Sequence, residues 1–237
     1  MNSVLEKIRG HLIVSCQGNK DDGNPFYRPE DMLQMVDCAV VGGGVGIRVN
    51  TPPNIELVKS KYPDLPMVGI WKVVTPGCDV YITPTMKEVD RLVELGCEII
   101  AVDGTCRKNC EGRYAYELIG EIKKKYPNQL VMADLATLHD AEMCMAQGAD
   151  IISTTLSGYT EDTKDKYAKG VDLDVIKDIR AKFPNAFINA EGRIWTIDDA
   201  RNAYQYGADV ITVGTAITSP FAITRRFVNA INSFNQN

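Results

Sequence analysis

Histidine is scarce in this sequence, with only His11 and His139 among 237 residues. The seven cysteines are odd in number and scattered, and the close pair Cys106 and Cys110 has no second pair to complete a zinc tetrad. No metal site is therefore expected. No apolar run approaches the roughly 20 residues of a membrane-spanning helix. The opening Met1-Asn2-Ser3-Val4-Leu5-Glu6-Lys7 lacks the basic segment and apolar stretch of an export signal. Free thiols in a cytoplasmic protein are the expectation. Positive charge is also short, with Lys and Arg totalling 26 against 31 Asp and Glu, a formal net charge of −5. That balance argues against nucleic acid or a membrane surface as partner, although a few local cations suffice for a small anion. No long charge run, low-complexity stretch or linker divides the chain, so one domain spanning 1–237 is expected.

What the sequence does contain is one pattern written several times. Glu94-Leu95-Gly96-Cys97-Glu98 leads into Ile99-Ile100-Ala101-Val102-Asp103. Gln147-Gly148-Ala149-Asp150 leads into Ile151-Ile152-Ser153-Thr154-Thr155, and Tyr206-Gly207-Ala208-Asp209 into Val210-Ile211-Thr212-Val213-Gly214. Each reads as a helix end, a glycine at C′, then a short β-branched strand of the kind buried on both faces of a parallel sheet. Eight strands are predicted near 11–16, 45–50, 66–72, 97–103, 129–135, 149–155, 185–191 and 208–214. Amphipathic helices are predicted over 29–40, 53–62, 85–95, 113–126, 138–147, 172–183, 197–206 and 220–234. Thr85 with Glu88 forms a capping box, and Thr196 and Asp172 are further N-caps. Eight βα units in this length predict an α/β fold, the (β/α)8 TIM barrel. The run Val41-Gly42-Gly43-Gly44-Val45-Gly46 precedes a strand instead of following one, so it is a helix-to-strand connection and not a dinucleotide loop.

Chemistry in such a barrel sits at the C-terminal strand ends. Those positions hold Ser15-Cys16-Gln17, Arg48-Val49-Asn50, Trp71-Lys72, Asp103-Gly104-Thr105, Ala133-Asp134, Thr154 to Tyr159, Asn189 to Arg193, and Gly214-Thr215-Ala216. Arg48, Lys72, Asp134 and Glu191 each end an apolar strand, where a layer of Val, Ile and Leu would stand if the role were only structural. Gly192 and Gly214-Thr215 fall after strands seven and eight, where backbone N–H groups can cradle a phosphate. His11 at the start of strand one and His139 in a helix's first turn read as structural or solvent-facing. Tyr159 lies in a long loop that can cover a ligand.

Taken in order, Ile13-Val14-Ser15-Cys16-Gln17, Gly46-Ile47-Arg48-Val49-Asn50, Ile70-Trp71-Lys72, Met132-Ala133-Asp134, Thr154 to Thr160, Ala190-Glu191-Gly192-Arg193 and Gly214 to Thr218 resemble the bacterial N-acetylmannosamine-6-phosphate 2-epimerase family over about residues 5–234. The run Thr-Thr-Leu-Ser-Gly-Tyr-Thr is the most specific element. The resemblance implies interconversion of N-acetylmannosamine 6-phosphate and N-acetylglucosamine 6-phosphate in sialic acid degradation, with no cofactor. It implies Lys72 and Glu191 as the acid/base residues, acting as one shared base or two opposed ones. It further implies Gln17, Arg48, Asp134, Ser157 and Tyr159 as substrate-binding and Gly192, Arg193, Gly214 and Thr215 as phosphate-binding. A lysine base needs a lowered pKa, for which Arg48 is the nearby cation, and Arg48 can also hold a developing enolate oxygen. A homodimer is the expected assembly.

The chain departs from the family pattern at Ser219, where many members carry arginine before the proline, leaving Ser219, Arg193 or Arg225 to substitute. The segment from Pro25 to Gly46 is short and Gly-rich for the family, which predicts an altered first helix and loop. Among rivals, a metal-dependent pentulose-phosphate 3-epimerase needs histidine ligands that are missing. A phosphate-binding decarboxylase needs Asp-x-Lys where this chain has Asp103-Gly104-Thr105. A non-catalytic sugar-phosphate-binding barrel predicts loss of Lys72 or Glu191, and both are present.

Overall fold

A computed structural model describes residues 2–18 and 23–234. Its strands are β1 (Leu12–Cys16), β2 (Gly46–Asn50), β3 (Met67–Ile70), β4 (Ile99–Asp103), β5 (Leu130–Asp134), β6 (Ile151–Ser153), β7 (Phe187–Glu191) and β8 (Val210–Val213). They pair in parallel, each with its sequence neighbour, and β8 closes on β1 to complete the barrel. Because side chains alternate across each strand, two apolar cores result. Ile13, Val68, Ile99, Met132, Ile151 and Val210 fill the barrel interior, while Val14, Ile47, Ile100, Val131, Ile152 and Ile211 face the surrounding helices. Runs that serve both cores must be apolar throughout, which is why they read as unbroken stretches.

The helices are α1 (Ser3–Ile8), α2 (Pro29–Val41), α3 (Pro52–Lys61), α4 (Met86–Glu94), α5 (Glu117–Lys125), α6 (Leu138–Ala146), α7 (Leu173–Lys182), α8 (Ile197–Gln205), α9 (Thr215–Thr218) and α10 (Pro220–Phe234). The expected caps are made. Thr85 with Glu88 and Thr196 with Asp199 form capping boxes, and Asp172 accepts from the Val175 N–H. The residue after the α4 cap, Gly96, has φ +72°, the left-handed C′ position read from the sequence.

Three features differ from expectation. The short helices α1 and α9 appear where none was predicted. The helix expected over 113–126 begins only at Glu117, because Lys108 and Tyr114 form an antiparallel bridge ahead of it. Strand six stops at Ser153 and turns through a 3₁₀ segment, Thr154–Leu156, because the Thr154 hydroxyl reaches across to the Glu191 carbonyl at 3.0 Å. The segment from Pro25 to Gly46, read from the sequence as short and Gly-rich for the family, carries a continuous helix. α2 runs 13 residues, buries Met32, Val36 and Ala39, and passes through Gly42 and Gly43 to β2.

Strand β3 also ends early, at Ile70 instead of residue 72. Beyond it the backbone of 71–73 pairs antiparallel with 81–83. The Thr83 N–H donates to the Trp71 carbonyl at 3.0 Å and the Val73 N–H to the Tyr81 carbonyl at 2.9 Å. The returning arm then meets β4, where the Asp103 N–H donates to the Ile82 carbonyl at 3.0 Å. This small ribbon is wedged between β3 and β4 at the barrel mouth. No helix among the described residues is long and apolar enough to cross a membrane.

Candidate active site

The parity that fills the barrel with Ile and Val also decides what tops it. Ser15 in β1, Asp103 in β4, Asp134 in β5, Ser153 in β6, Asn189 in β7 and Thr212 in β8 lie in step with the inward apolar residues of their own strands, and Arg48 in β2 alternates with the outward Ile47 and Val49. Register places Ser15 beside Arg48, Asp103 beside Asp134, and Ser153 beside Asn189. All seven are buried. A full polar layer therefore lies directly on the apolar plug.

Arg48 is the centre of this layer. Its Nη2 donates to Asp134 Oδ2 at 2.5 Å, and its Nη1 donates to Asp134 Oδ1 at 3.0 Å and to Glu191 Oε2 at 2.9 Å. Only 1% of the Arg48 side chain is exposed, so the ion pairs must carry the cost of removing a guanidinium from water. Burial works against its charge, but Asp134 and Glu191 outweigh burial and hold Arg48 above the ordinary arginine range. Thr155 donates to Asp134 Oδ1 at 2.7 Å and approaches Glu191 Oε2 at 3.3 Å. Behind them Thr212 donates to Asn189 at 2.8 Å, and Asn189 donates to Ser153 Oγ at 2.7 Å.

Glu191 ends β7 with its carboxylate 11% exposed. Burial pushes it up to about 7, and the charge of Asp134 adds to that, while Arg48, Thr155 and Lys72 pull the other way. A carboxyl poised near neutrality suits proton transfer.

Lys72 sits on the first arm of the ribbon, its backbone N–H donating to Asn50 Oδ1 at 2.9 Å. Asn50 is itself fixed at the end of β2, where its carbonyl accepts from Asn54 Nδ2 at 2.9 Å. The Lys72 ammonium lies 5.9 Å from the centre of the Tyr81 ring, on the returning arm. Lys72 stands two residues past the end of β3 and Glu191 ends β7, so both belong to the C-terminal rim of the barrel.

The other sequence-predicted residues fall into three groups, after β1, around the loop after β6, and at α9. Gln17 follows β1 and donates from Nε2 to Ser15 Oγ at 2.7 Å. Its Oε1, like Arg48 Nε, is buried with no hydrogen-bond partner among the described residues. The second group belongs to the loop after β6. Buried Ser157 donates to Asp172 at 2.6 Å. The Arg193 guanidinium does not point to open solvent. Nε donates to the Gly170 carbonyl at 2.6 Å and Nη1 donates to that of Ser157. It also lies under the Tyr159 ring, 5.5 Å from its centre, while Tyr159 meets Tyr167 edge-on at 5.3 Å. Gly158, at φ +81°, lets this guanidinium lie where a Cβ would otherwise stand. Gly214 caps α9, and Thr215 opens it. Ser219 closes α9 and accepts through its carbonyl from Ala222 and Ile223, both at 3.0 Å, and Arg225 lies over Phe221. Neither histidine belongs to the mouth. His11 precedes β1, where its carbonyl accepts from Tyr204, and His139 stands exposed in the first turn of α6, 3.6 Å from Glu142. No group of three or more His, Cys, Asp or Glu among the described residues is placed to hold a metal.

Three residues of the mouth had no role assigned from the sequence, although Asn50 and Asn189 stood among the strand-end positions. Asn50 and Asn189 lie on inward positions of β2 and β7, a signal that alternation from Arg48 and Glu191 supplies. Tyr81 had no such signal, because the ribbon that carries it is not a barrel strand.

Residues 32–233 match the model of the family described as N-acetylmannosamine-6-phosphate epimerase. The chain is 40% identical over 235 residues to a Listeria monocytogenes protein named as an N-acetylmannosamine-6-phosphate 2-epimerase, covering 99% of this chain and 98% of that one. A Caldanaerobacter subterraneus protein of the same name is 42% identical over 228 residues, 96% of this chain and 94% of the other. The solved structure of the N-acetylmannosamine-6-phosphate 2-epimerase from Clostridium perfringens superposes with a TM-score of 0.88 at 37% identity, covering 97% of this chain and 96% of that one.

Proposed function

The chain belongs to the N-acetylmannosamine-6-phosphate epimerase family, and we propose that it interconverts N-acetylmannosamine 6-phosphate and N-acetylglucosamine 6-phosphate at the mouth formed by Lys72 and Glu191. The carrying observation is that Lys72, just past β3, and Glu191, at the end of β7 with its carboxyl raised to about 7, stand on the same C-terminal rim of the barrel. In the open-chain sugar the C1 aldehyde acidifies the proton on C2. A base removes that proton, the C–H electron pair becomes the C1–C2 double bond, and the carbonyl oxygen takes up the charge. Returning a proton to the opposite face gives the epimer, with no electron donor or acceptor needed.

Lys72 and Glu191 serve as the proton-transfer pair, and Arg48 with Asp134 fixes the Glu191 carboxylate. The unpartnered Oε1 of Gln17 accepts from a sugar hydroxyl or the acetamido N–H. Asp134 is already bound by Arg48 and Thr155, so it acts on substrate chiefly through the rim it holds together. Ser157 and Tyr159 form the wall contributed by the loop after β6. Backbone N–H groups of Gly192, Arg193, Gly214 and Thr215 take the phosphate, a role that does not require the Arg193 guanidinium, which is engaged by loop carbonyls. Ser219, which replaces the family's arginine, adds a short hydroxyl near this grip.

The test is incubation with N-acetylmannosamine 6-phosphate in D₂O, following C2 by NMR. The expected result is epimerisation with deuterium entering at C2, lost in Lys72→Ala. Deuterium at another carbon, or no exchange by folded protein, overturns the reading.

The same reading includes a homodimer, supported by α10. No residue of this 15-residue helix is buried, and Phe227, Val228, Ile231 and Phe234 are all exposed, at up to 82% for Phe234. Their spacing puts them on one face, a ridge that a two-fold axis can pair with its own copy. Light scattering is expected to give the dimer mass for the native chain and the monomer mass for Phe227→Asp/Ile231→Asp. A monomeric native chain rules this part out.

A further inference from the structure

If the C1 oxygen becomes an oxyanion, some group must donate to it. Arg48 is the cation nearest in sequence reasoning, yet its terminal nitrogens are engaged by Asp134 and Glu191 inside the buried layer. Its geometry suits orienting Glu191, not reaching a substrate atom above it. Another donor is therefore required at the mouth.

Tyr81 has the placement. Its backbone is pinned by the 71–73/81–83 ribbon, and that ribbon is pinned in turn by β4 through the Ile82 carbonyl. Its half-buried ring packs on the apolar plug inside the barrel. One end of the side chain thus belongs to the core, and the ring lies beside the Lys72 ammonium at 5.9 Å. The ribbon that carries it joins the end of β4 at Asp103, a residue of the polar layer, and the charges of Arg107, Asp103, Asp134 and Arg48 all act on the hydroxyl. Apart from Arg48 Nε, buried within the layer, the other polar side chains beneath the mouth are engaged. Asp103 accepts from Thr105 at 2.6 Å and from Arg107 at 2.7 Å, and Asn189, Thr212 and Thr155 are bonded among themselves and their neighbours. The Tyr81 hydroxyl has no hydrogen bond to another described residue. Burial keeps that hydroxyl above the usual phenol range, so it stays a donor throughout the neutral range.

We propose that Tyr81 is a further catalytic residue, whose hydroxyl donates to the C1 oxygen as the enolate forms and whose ring seats the Lys72 ammonium. The proposal rests on the epimerase reading above. When the base takes the C2 proton, the C–H pair forms the C1–C2 double bond and the carbonyl pair moves onto oxygen. The Tyr81 O–H shortens its hydrogen bond to that oxygen and keeps its proton. Collapse of the enolate returns the charge and a proton goes to C2, leaving Tyr81 unchanged. Such a donor counts mainly in the transition state, because the charge it meets exists only there.

The test compares native protein, Tyr81→Phe and Tyr81→Leu in C2 exchange and in steady-state epimerisation. Tyr81→Phe removes one oxygen and keeps the ring, so folding and the Lys72 seat survive. The expected result is a kcat lower by at least about tenfold with KM changed less than about threefold and thermal unfolding unchanged. Tyr81→Leu is expected to lose more, because the ammonium also loses the ring face. A Tyr81→Phe protein with native kcat overturns the hydroxyl role while the epimerase reading stands. A native protein that does not exchange C2 overturns both together.

Discussion

Asp134 accepts from both terminal nitrogens of Arg48, and Arg48 Nη1 donates at the same time to Glu191, 143 positions along the chain. One guanidinium thus ties β2 to β5 and β7 across the inside of the barrel, and it sets where the raised carboxyl of Glu191 stands.

Removing that guanidinium leaves Asp134 and Glu191 buried together without a counter-charge. Arg48→Met is expected to cost about 3–5 kcal/mol at pH 7, the usual penalty for breaking a buried pair. The loss should shrink when unfolding is repeated near pH 5, where a buried carboxyl can take up a proton. Equal loss at both pH values would show that packing and not charge is at stake.

For Glu191 the sign of the stability effect follows from the direction of its shift. Its folded value, about 7, lies above the ordinary 4.5, so the fold favours the protonated acid. That contribution is complete below about pH 4.5 and is lost as pH rises through 7. At pH 8 the charged carboxyl therefore burdens the fold, by at most roughly 3 kcal/mol. Glu191→Gln should unfold at higher temperature than the native chain at pH 8, with the gap closing towards pH 5. Its turnover should fall by at least about a hundredfold. A lower unfolding temperature at pH 8 would mean that the pairing with Arg48 outweighs burial.

If Glu191 works as a base, its charged form carries the reaction. The expected profile of kcat/KM rises with unit slope below pH 7 and levels off above it. A profile flat from pH 5 to 8 would remove Glu191 from the proton-transfer step.

Arg193 holds the loop after β6 by two carbonyls and stacks on Tyr159. Arg193→Ala should speed limited proteolysis within residues 157–170 and raise KM several-fold, with a smaller change in kcat. Arg193→Lys replaces donors on two separate nitrogens of a planar fork by a single nitrogen and should behave much the same. Unaltered cleavage in Arg193→Ala would show that the loop is held by other contacts.

Much of the site was legible because alternation is a local property. Once Ile13, Met132 and Val210 are read as inward, Ser15, Asp134 and Thr212 must follow two residues later on the same face. The strand ends beside Gly192 and Gly214 were legible for the same reason. The engagement of Arg193 by the Ser157 and Gly170 carbonyls was not, since its partners lie 36 and 23 positions away in a segment without periodicity. Ser157 likewise faces Asp172, a helix cap whose position depends on where the long loop returns.

Composition and periodicity by themselves determined that this chain closes eight parallel strands and crowns them with Arg48, Lys72, Asp134 and Glu191. Those features depend only on spacings of two and of three to four residues, which any stretch of chain carries within itself. Which oxygen Arg48 would bind, how Tyr81 reaches the mouth on a ribbon between β3 and β4, and that α10 stands clear with its apolar ridge exposed were decided by tertiary structure alone. Closure brings β2, β5 and β7 around one axis. Which polar atoms then satisfy one another is set by distances across the barrel that no local pattern encodes.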